Sequence, residues 1–525
     1  MPIRGLQPPV TGFSEKMVVN TNNNKGVINS WIQRSAVHLY LLLARGYRGI
    51  LTFMLASLIA FSAQQPLAHA QSSENLPQLG TTGRATMSIQ RELTYGDIYM
   101  RQMRGAAPII GDPVLDEYLT DLGNRLVRRS QNVRFGFEFF WVNAEEINAF
   151  AFLGGKVGVH TGLISEAATE SELASVLAHE IAHVTQRHIV RNIEAQAANS
   201  PSTLAAILAG VILAMASPDL GIAAISAAQA GAMQNQINYT RLFEMEADRI
   251  GIGILAEAGF DPQGAPAFFG RLADKYRYAS KPPQMLLTHP LSESRVADTR
   301  QRADMLPRPI NLNQRDFLFA KARIQARYLQ NQSAQDFAAK FNDRNEDIAA
   351  AARYGAAILA LDSKQPEVAA ELLQPLSQRY PRDPFIFDVQ TDILIALNRA
   401  DAAVDMLRNI YIQRPNEPVV TLNLANAALK AGDNQLAIQL LRDFLLRNDK
   451  HVLALELLAD AYQNDGQIAA MYETRGEIYA MHGGFKLAID QFNTAHTNTD
   501  NQLTQKRLQA RIDQVRSLQA MAETL

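Results

Sequence analysis

The 525-residue chain contains no cysteine. That excludes a disulfide scaffold, thiolate metal ligands and a cysteine nucleophile, so a metal site here must use His, Asp or Glu. The absence also fits an oxidising compartment, where stray thiols are hazards. An excess of charge of one sign is lacking too. The formal net charge is −2, 19% of residues are charged, and Lys and Arg form no dense cluster. A nucleic-acid partner therefore has no electrostatic basis. Long apolar runs are missing as well. Ile50–Ala63 is a mostly apolar run of 14 residues, and the apolar stretch 203–233 is interrupted by Pro218, Asp219 and Gly221. Both fall short of the roughly 20 residues that span a bilayer.

What is present begins with an address. Arg45 and Arg48 precede Ile50–Ala63, followed by Pro66 and the small-residue pattern Ala68-His69-Ala70. These are the n-region, h-region and cleavage site of a secretory signal, with maturation expected after Ala70; the competing reading is a membrane anchor. Residues 1–44 are too long for a usual n-region and read as a start-site artefact or a disordered extension. Residues 71–85 carry Pro77, Gly80 and Gly83 and read as a linker. The interrupted 203–233 stretch reads as a buried helical hairpin, with a mobile flap or a surface touching lipid or apolar substrate as the alternative.

Apolar content of 47% over this length supports two or three domains with real cores. From Ile89 to about Arg129 the apolar residues recur every three to four positions, as Leu115, Tyr118, Leu119, Leu122 and Leu126, which predicts helix. An aromatic, alternating segment over 135–142 predicts a strand. Asn148–Phe152 then leads through Gly154-Gly155 to a second strand-like run, 156–160. A capping box at Thr169–Glu172 opens a helix expected to run to about Val190.

That helix carries His179-Glu180-Ile181-Ala182-His183. Residues four apart differ by about 40° around a helix, so the two imidazoles can hold a metal from one side while Glu180 reaches a water on it. This is the H-E-x-x-H arrangement of zinc peptidases, with the Glu as general base. A third protein ligand is needed. Glu244 and Asp248 are four apart and share a helical face, which Gly251 continues, whereas Glu246 points about 200° away. Glu244 is therefore the expected ligand, and Asp248 a partner behind it or a proton donor. Ala247 and Gly251 permit close helix packing. On a continuing helix His188 lies about 140° from His183, which makes it a supporting residue and not a ligand.

From about Asn313 the chain is alanine- and leucine-rich, and it repeats. Pro384 and Pro418 are 34 residues apart; Ala369, Ala403 and Ala437 keep that step, as do Leu373, Leu407 and Leu441. A 34-residue helix–turn–helix period is the tetratricopeptide signature. Leu487-Ala488-Ile489 echoes Leu436-Ala437-Ile438 after 51 residues instead, so irregular final repeats or an extra helix are expected.

HEIAH, then Glu244-Met245-Glu246-Ala247-Asp248, then His289-Pro290-Leu291-Ser292-Glu293-Ser294-Arg295, resembles the gluzincin family of HtpX and the CAAX prenyl endopeptidases. The export signal and the repeat array narrow the resemblance to its periplasmic branch, which serves assembly of outer-membrane β-barrel proteins. The resemblance covers about residues 71–525. It implies His179, His183 and Glu244 as ligands of one zinc ion, Glu180 as base and Asp248 as the acid that follows the ligand. It also implies His289 as a loop histidine able to fill the open metal position and hold the enzyme latent, and Arg295 as an arginine near the site that could stabilise the oxyanion. The expected fold is α+β, mainly α. Residues 1–70 form the extension and signal, 71–310 a gluzincin-type protease domain with a small sheet, and 311–525 a tetratricopeptide solenoid. The expected activity is that of an exported zinc endopeptidase, with a possible chaperone role, that degrades misfolded or stalled β-barrel clients. The alternative is a latent protease acting mainly as a scaffold at the assembly machinery. Partners expected on this basis are client proteins and that machinery through the array, with possible peripheral membrane contact; the chain is expected to be a monomer.

Overall fold

The computed structural model describes residues 87–197, 233–277, 284–310 and 313–523. The extension 1–44, the signal segment with its cleavage site after Ala70, the linker 71–85 and residues 203–232 of the apolar stretch lie outside the described residues. Among the described residues no helix is long and apolar enough to cross a membrane.

The first helical stretch is two helices, α1 (Ile89–Ala106) and α2 (Pro113–Val127). Pro108 and Pro113 interrupt what reads as one period, and Asp112 caps α2 by accepting from the Leu115 amide. A three-stranded sheet follows, from β1 (Glu138–Val142), β2 (Ala149–Phe152) and β3 (Lys156–His160), in the order β1-β3-β2. β1 runs parallel to β3, with Glu138 opposite Lys156, and β2 runs antiparallel to it, with Ala149 opposite Val159. Trp141 is fully buried, and its indole N–H donates to the Leu115 carbonyl at 2.9 Å, which ties the sheet to α2.

After the short α3 (Thr161–Glu166) comes the central helix α4 (Glu170–Thr185). Every residue of α4 except His183 is buried. A helix covered on all sides is a core element, and α4 packs against α2, β2, α6 (Met233–Glu257) and α7 (Gly264–Tyr276). Its capping box is displaced by one residue. Thr169 accepts from the Glu172 amide, but the Glu172 carboxylate accepts from Ala168 instead of Thr169. The helix also stops short of Val190. Arg187 takes a left-handed conformation at φ 54°, and α5 (His188–Ala197) starts in a new direction. The crossing of α4 with α6 depends on Gly251, where a Cβ would sit 3.1 Å from the His179 amide nitrogen. Two short elements, α8 (Gln284–Thr288) and α9 (Glu293–Met305), close this part of the chain.

Then α10 (Arg315–Arg323) passes into a wide π turn, Ile324–Tyr328, and α11 (Ala334–Ala338) leads into a series of helical hairpins. These pair α12 (Glu346–Asp362) with α13 (Pro366–Arg379), α14 (Pro384–Ala396) with α15 (Ala400–Tyr411), and α16 (Pro418–Ala431) with α17 (Asn434–Leu445). α18 (Val452–Asn464) with α19 (Ile468–Met481), and α20 (Phe485–Thr497) with α21 (Gln502–Glu523), complete the series. Pro384, Pro418 and Val452 each open a first helix at a 34-residue step. The expected irregularity near the end is absent: the hairpins continue in step, and the 51-residue echo joins a second helix, α17, to a first helix, α20. Ala369, Ala403 and Ala437 are all fully buried.

One continuous apolar core runs from α2 through α4 into the array. At the seam a buried arginine, Arg323, lies 2.7 Å from both Asp112 of α2 and Asp388 of α14.

Candidate metal centre

The cluster assembles from three separated segments. α4 supplies His179, Glu180 and His183; α6 supplies Glu244; and the turn after α8 supplies His289. All except His183 and His289 are buried. His179 Nε2 and His183 Nε2 are 2.9 Å apart. Glu244 reaches them with Oε2 at 3.3 Å from the first and Oε1 at 3.4 Å from the second. His289 Nδ1 stands 3.4 Å from His179 Nε2 and 3.1 Å from Glu244 Oε1. Ligands placed about 2.0–2.1 Å from a common tetrahedral centre would be about 3.3–3.4 Å from one another, so these separations are close to the edges of one coordination polyhedron. The donor set, three imidazoles and a carboxylate, contains no soft sulfur and suits a borderline divalent ion. The cluster can hold a metal ion.

Glu180 lies beside the cluster, 1% exposed, with Oε1 lacking a hydrogen-bond partner and 3.4 Å from His289 Nε2. The His289 ring therefore lies between Glu180 and Glu244. Beside it, an apolar pocket lined by Val176, Leu255, Phe269 and Leu272 retains about 30 Å³ of free space.

Behind Glu244 the charges interlock. Asp248 Oδ1 is 3.0 Å from His179 Nδ1, a close but bent contact that leaves that nitrogen without a well-aligned hydrogen bond. Arg295 binds Asp248 through Nε at 2.6 Å and Nη2 at 2.8 Å, and its Nη1 meets Glu244 Oε2 at 3.0 Å and the Pro290 carbonyl at 2.8 Å. Arg295 thus faces the two carboxylates and anchors the His289 turn. Burial works against charge here; pairing overcomes it at His179 and Glu244, whereas at His183 burial prevails and lowers the pKa. Burial alone would lower the pKa of His179, but Asp248 and Glu244 raise it to about 10. Burial would raise Glu244, yet His289, His179 and His183 hold it well below the usual carboxylate range.

The structure thus brings His179, Glu180, His183, Glu244, Asp248, His289 and Arg295 together. It also shows what helical spacing missed. Because α4 breaks at Arg187, His188 turns back onto the site, with Nδ1 2.8 Å from His183 Nδ1 and Nε2 3.2 Å from Glu246 Oε2. Burial, with His183 and Arg191 nearby, pushes the His188 pKa down and keeps its imidazole neutral. Arg187 itself is buried against Glu92, 3.0 Å away. Neither residue type nor spacing signals that break.

The sequence pattern of peptidase family M48 matches residues 113–303, which contain every residue of this cluster. The chain is 42% identical over 482 residues to the β-barrel assembly-enhancing protease of Escherichia coli K12, covering 90% of this chain and 98% of that protein. It is 45% identical over 445 residues to a putative β-barrel assembly-enhancing protease of Vibrio cholerae, covering 84% and 92%. Similarity to the E. coli metalloprotease LoiP, 26% identity over 259 residues, covers 47% of this chain and 96% of that one.

Proposed function

Since the chain belongs to the β-barrel assembly-enhancing proteases of peptidase family M48 and is a metalloprotease, we propose that it is a zinc endopeptidase held latent at rest. Its clients are outer-membrane β-barrel proteins during assembly in the periplasm, where it degrades those that stall or misfold. The observation that carries this reading is the convergence of four ligand atoms from His179, His183, Glu244 and His289 within 4.8 Å of one another, with Glu180 beside them.

In this reading His179, His183 and Glu244 hold the metal and His289 occupies the remaining position. When bound, zinc supplies Lewis acidity toward water and toward the scissile carbonyl. Glu180 accepts the proton of the attacking water and returns it to the leaving amine. Asp248 holds His179 in orientation. Arg295 neutralises Asp248 and Glu244 from behind, and through the Pro290 carbonyl it keeps His289 seated. Residues 71–310 form the protease domain, and residues 311–525 form a tetratricopeptide array that receives clients and meets the assembly machinery. The seated His289 equally supports a second reading, in which the array acts mainly as a scaffold or chaperone and cleavage is occasional.

Glu180→Gln is expected to retain its zinc in elemental analysis while casein cleavage falls about 10²–10⁴-fold. A zinc-loaded variant with full activity would contradict the assignment. Chelator-sensitive cleavage by the parent protein separates the protease reading from the scaffold reading.

A further inference from the structure

We infer that His188 and Glu246 are positioning residues for the metal site, fixing the tautomer and ring orientation of His183 through a Glu246–His188–His183 relay. The inference rests on the reading of His183 as a metal ligand.

Hydrogen-bond chemistry allows only one assignment along this relay. A neutral imidazole has one nitrogen that donates and one that accepts. The Nε2 of His183 faces the cluster, so as a ligand it carries the lone pair and the proton resides on Nδ1. That proton points to His188 Nδ1, 2.8 Å away, which must accept it. The proton of His188 is then on Nε2, 3.2 Å from Glu246 Oε2, where a carboxylate oxygen accepts it. Each link satisfies the next. Partners of this kind fix the ring of a metal-bound histidine and raise its basicity. His179 has its carboxylate, Asp248, in direct contact; His183 has its carboxylate one ring further out.

The surroundings hold His188 in that place at a cost. Had α4 continued, His188 would lie about 140° around the helix from His183. The break at Arg187 brings it back, through a left-handed conformation that is unfavourable for any residue other than glycine. Arg187 is secured by Glu92 at 3.0 Å and by the Met87 carbonyl at 2.9 Å. The His188 ring lies flat on Phe243, with centroids 4.3 Å apart and an interplanar angle of 13°. Arg191 covers the Phe243 ring at 4.5 Å and binds Glu246 at 2.9 Å. A single stretch of α6 therefore supplies the stacking ring, the ligand Glu244 and the end of the relay. The relay gives a role to Glu246, which faces away from the metal cluster.

The test is zinc affinity of the full chain, measured by competition with a chromophoric chelator, with circular dichroism of the metal-free protein reporting the fold. His188→Ala is expected to weaken zinc binding by about 10–100-fold. His188→Asn places an amide oxygen where Nδ1 stood, accepts the same proton, and should recover most of that loss. Unchanged affinity in folded His188→Ala overturns the relay, and so does His188→Asn binding as weakly as His188→Ala. Should His188→Ala fail to fold, Glu246→Met removes the acceptor while keeping the side chain's length at a partly exposed position, and its unchanged affinity overturns the relay equally. His183→Ala is the reference: if it keeps parental zinc affinity, the ligand reading fails instead of the relay.

Discussion

Lys364, Asn398, Gly432 and Gly466 stand at 34-residue intervals, each turning one array helix into the next with φ between 59° and 85°. Arg187 makes a similar turn between α4 and α5 at φ 54°. In the array the residue type drifts from lysine to glycine, because the turn needs only a backbone that tolerates the left-handed region. At Arg187 the side chain matters as much as the backbone, since it is buried against Glu92, 95 positions earlier. Polar contacts divide the same way. Arg507 with Glu473 and Arg511 with Glu477 join the second helices of consecutive hairpins, α21 and α19, across one 34-residue step. His179 meets His289 across 110 residues, and Asp248 meets Arg295 across 47. The array is held by turns that repeat and by polar contacts that span one repeat step. The metal centre is held by contacts that occur once.

Glycine substitution at the two kinds of turn should break this comparison most sharply. Arg187→Gly relieves the backbone but leaves the Glu92 carboxylate buried without its partner. Breaking a buried pair costs about 3–5 kcal/mol, offset by roughly 1 kcal/mol of released strain; a chemical denaturation midpoint equal to the parent's would place Arg187 with the array turns. A smaller effect is expected where the array touches the catalytic unit. Asp383 caps α14 through the Phe385 amide at 3.0 Å, but burial, followed by the Asp316 charge, raises its pKa to about 6 against the opposing effect of Arg315. The folded chain thus holds this proton more tightly than the unfolded chain. Its stabilising contribution is full below about pH 4 and is lost as pH rises through about 6. Asn caps as well as Asp, so Asp383→Asn should match the parent at pH 4 and exceed it by about 1–2 kcal/mol at pH 7.5 in unfolding measurements. Equal pH dependence in both proteins would remove Asp383 from the account. The smallest effect, opposite in sign to that at Arg187, is expected at Lys364→Gly, a gain of about 0.5–1 kcal/mol. A loss there would mean that the Lys364 side chain has a role of its own.

The same division explains what could be read from the sequence. The Ala369, Ala403 and Ala437 series is visible in the sequence and fully buried in the fold, because a repeated local environment imposes a repeated residue type. H-E-x-x-H and the 244/248 pair are legible because helical spacing converts sequence distance into a shared face. The break at Arg187 is not legible. Its stabilisation comes from Glu92 and Met87, and no local rule places those groups next to residue 187. The early stop of α4 and the return of His188 follow from that distant contact, as does the role of Glu246. The charged seam at Arg323 was hidden for a similar reason, since its partners Asp112 and Asp388 lie on opposite sides of it in sequence.

The array is fastened to the catalytic unit at both ends. Near its start Arg323 is clamped by Asp112, and near its far end Arg101 of α1 donates to the Ala480 carbonyl at 2.6 Å while Gly105 fits beneath His482. A flexible tether would let a captured polypeptide sample many distances from the metal, and its effective concentration there would fall with tether length. A doubly fastened array instead sets one distance. On the proposed reading, in which the array receives clients, a segment long enough to cross that distance would meet the metal centre at high local concentration and a shorter one hardly at all, so selection by reach would come before any preference for sequence.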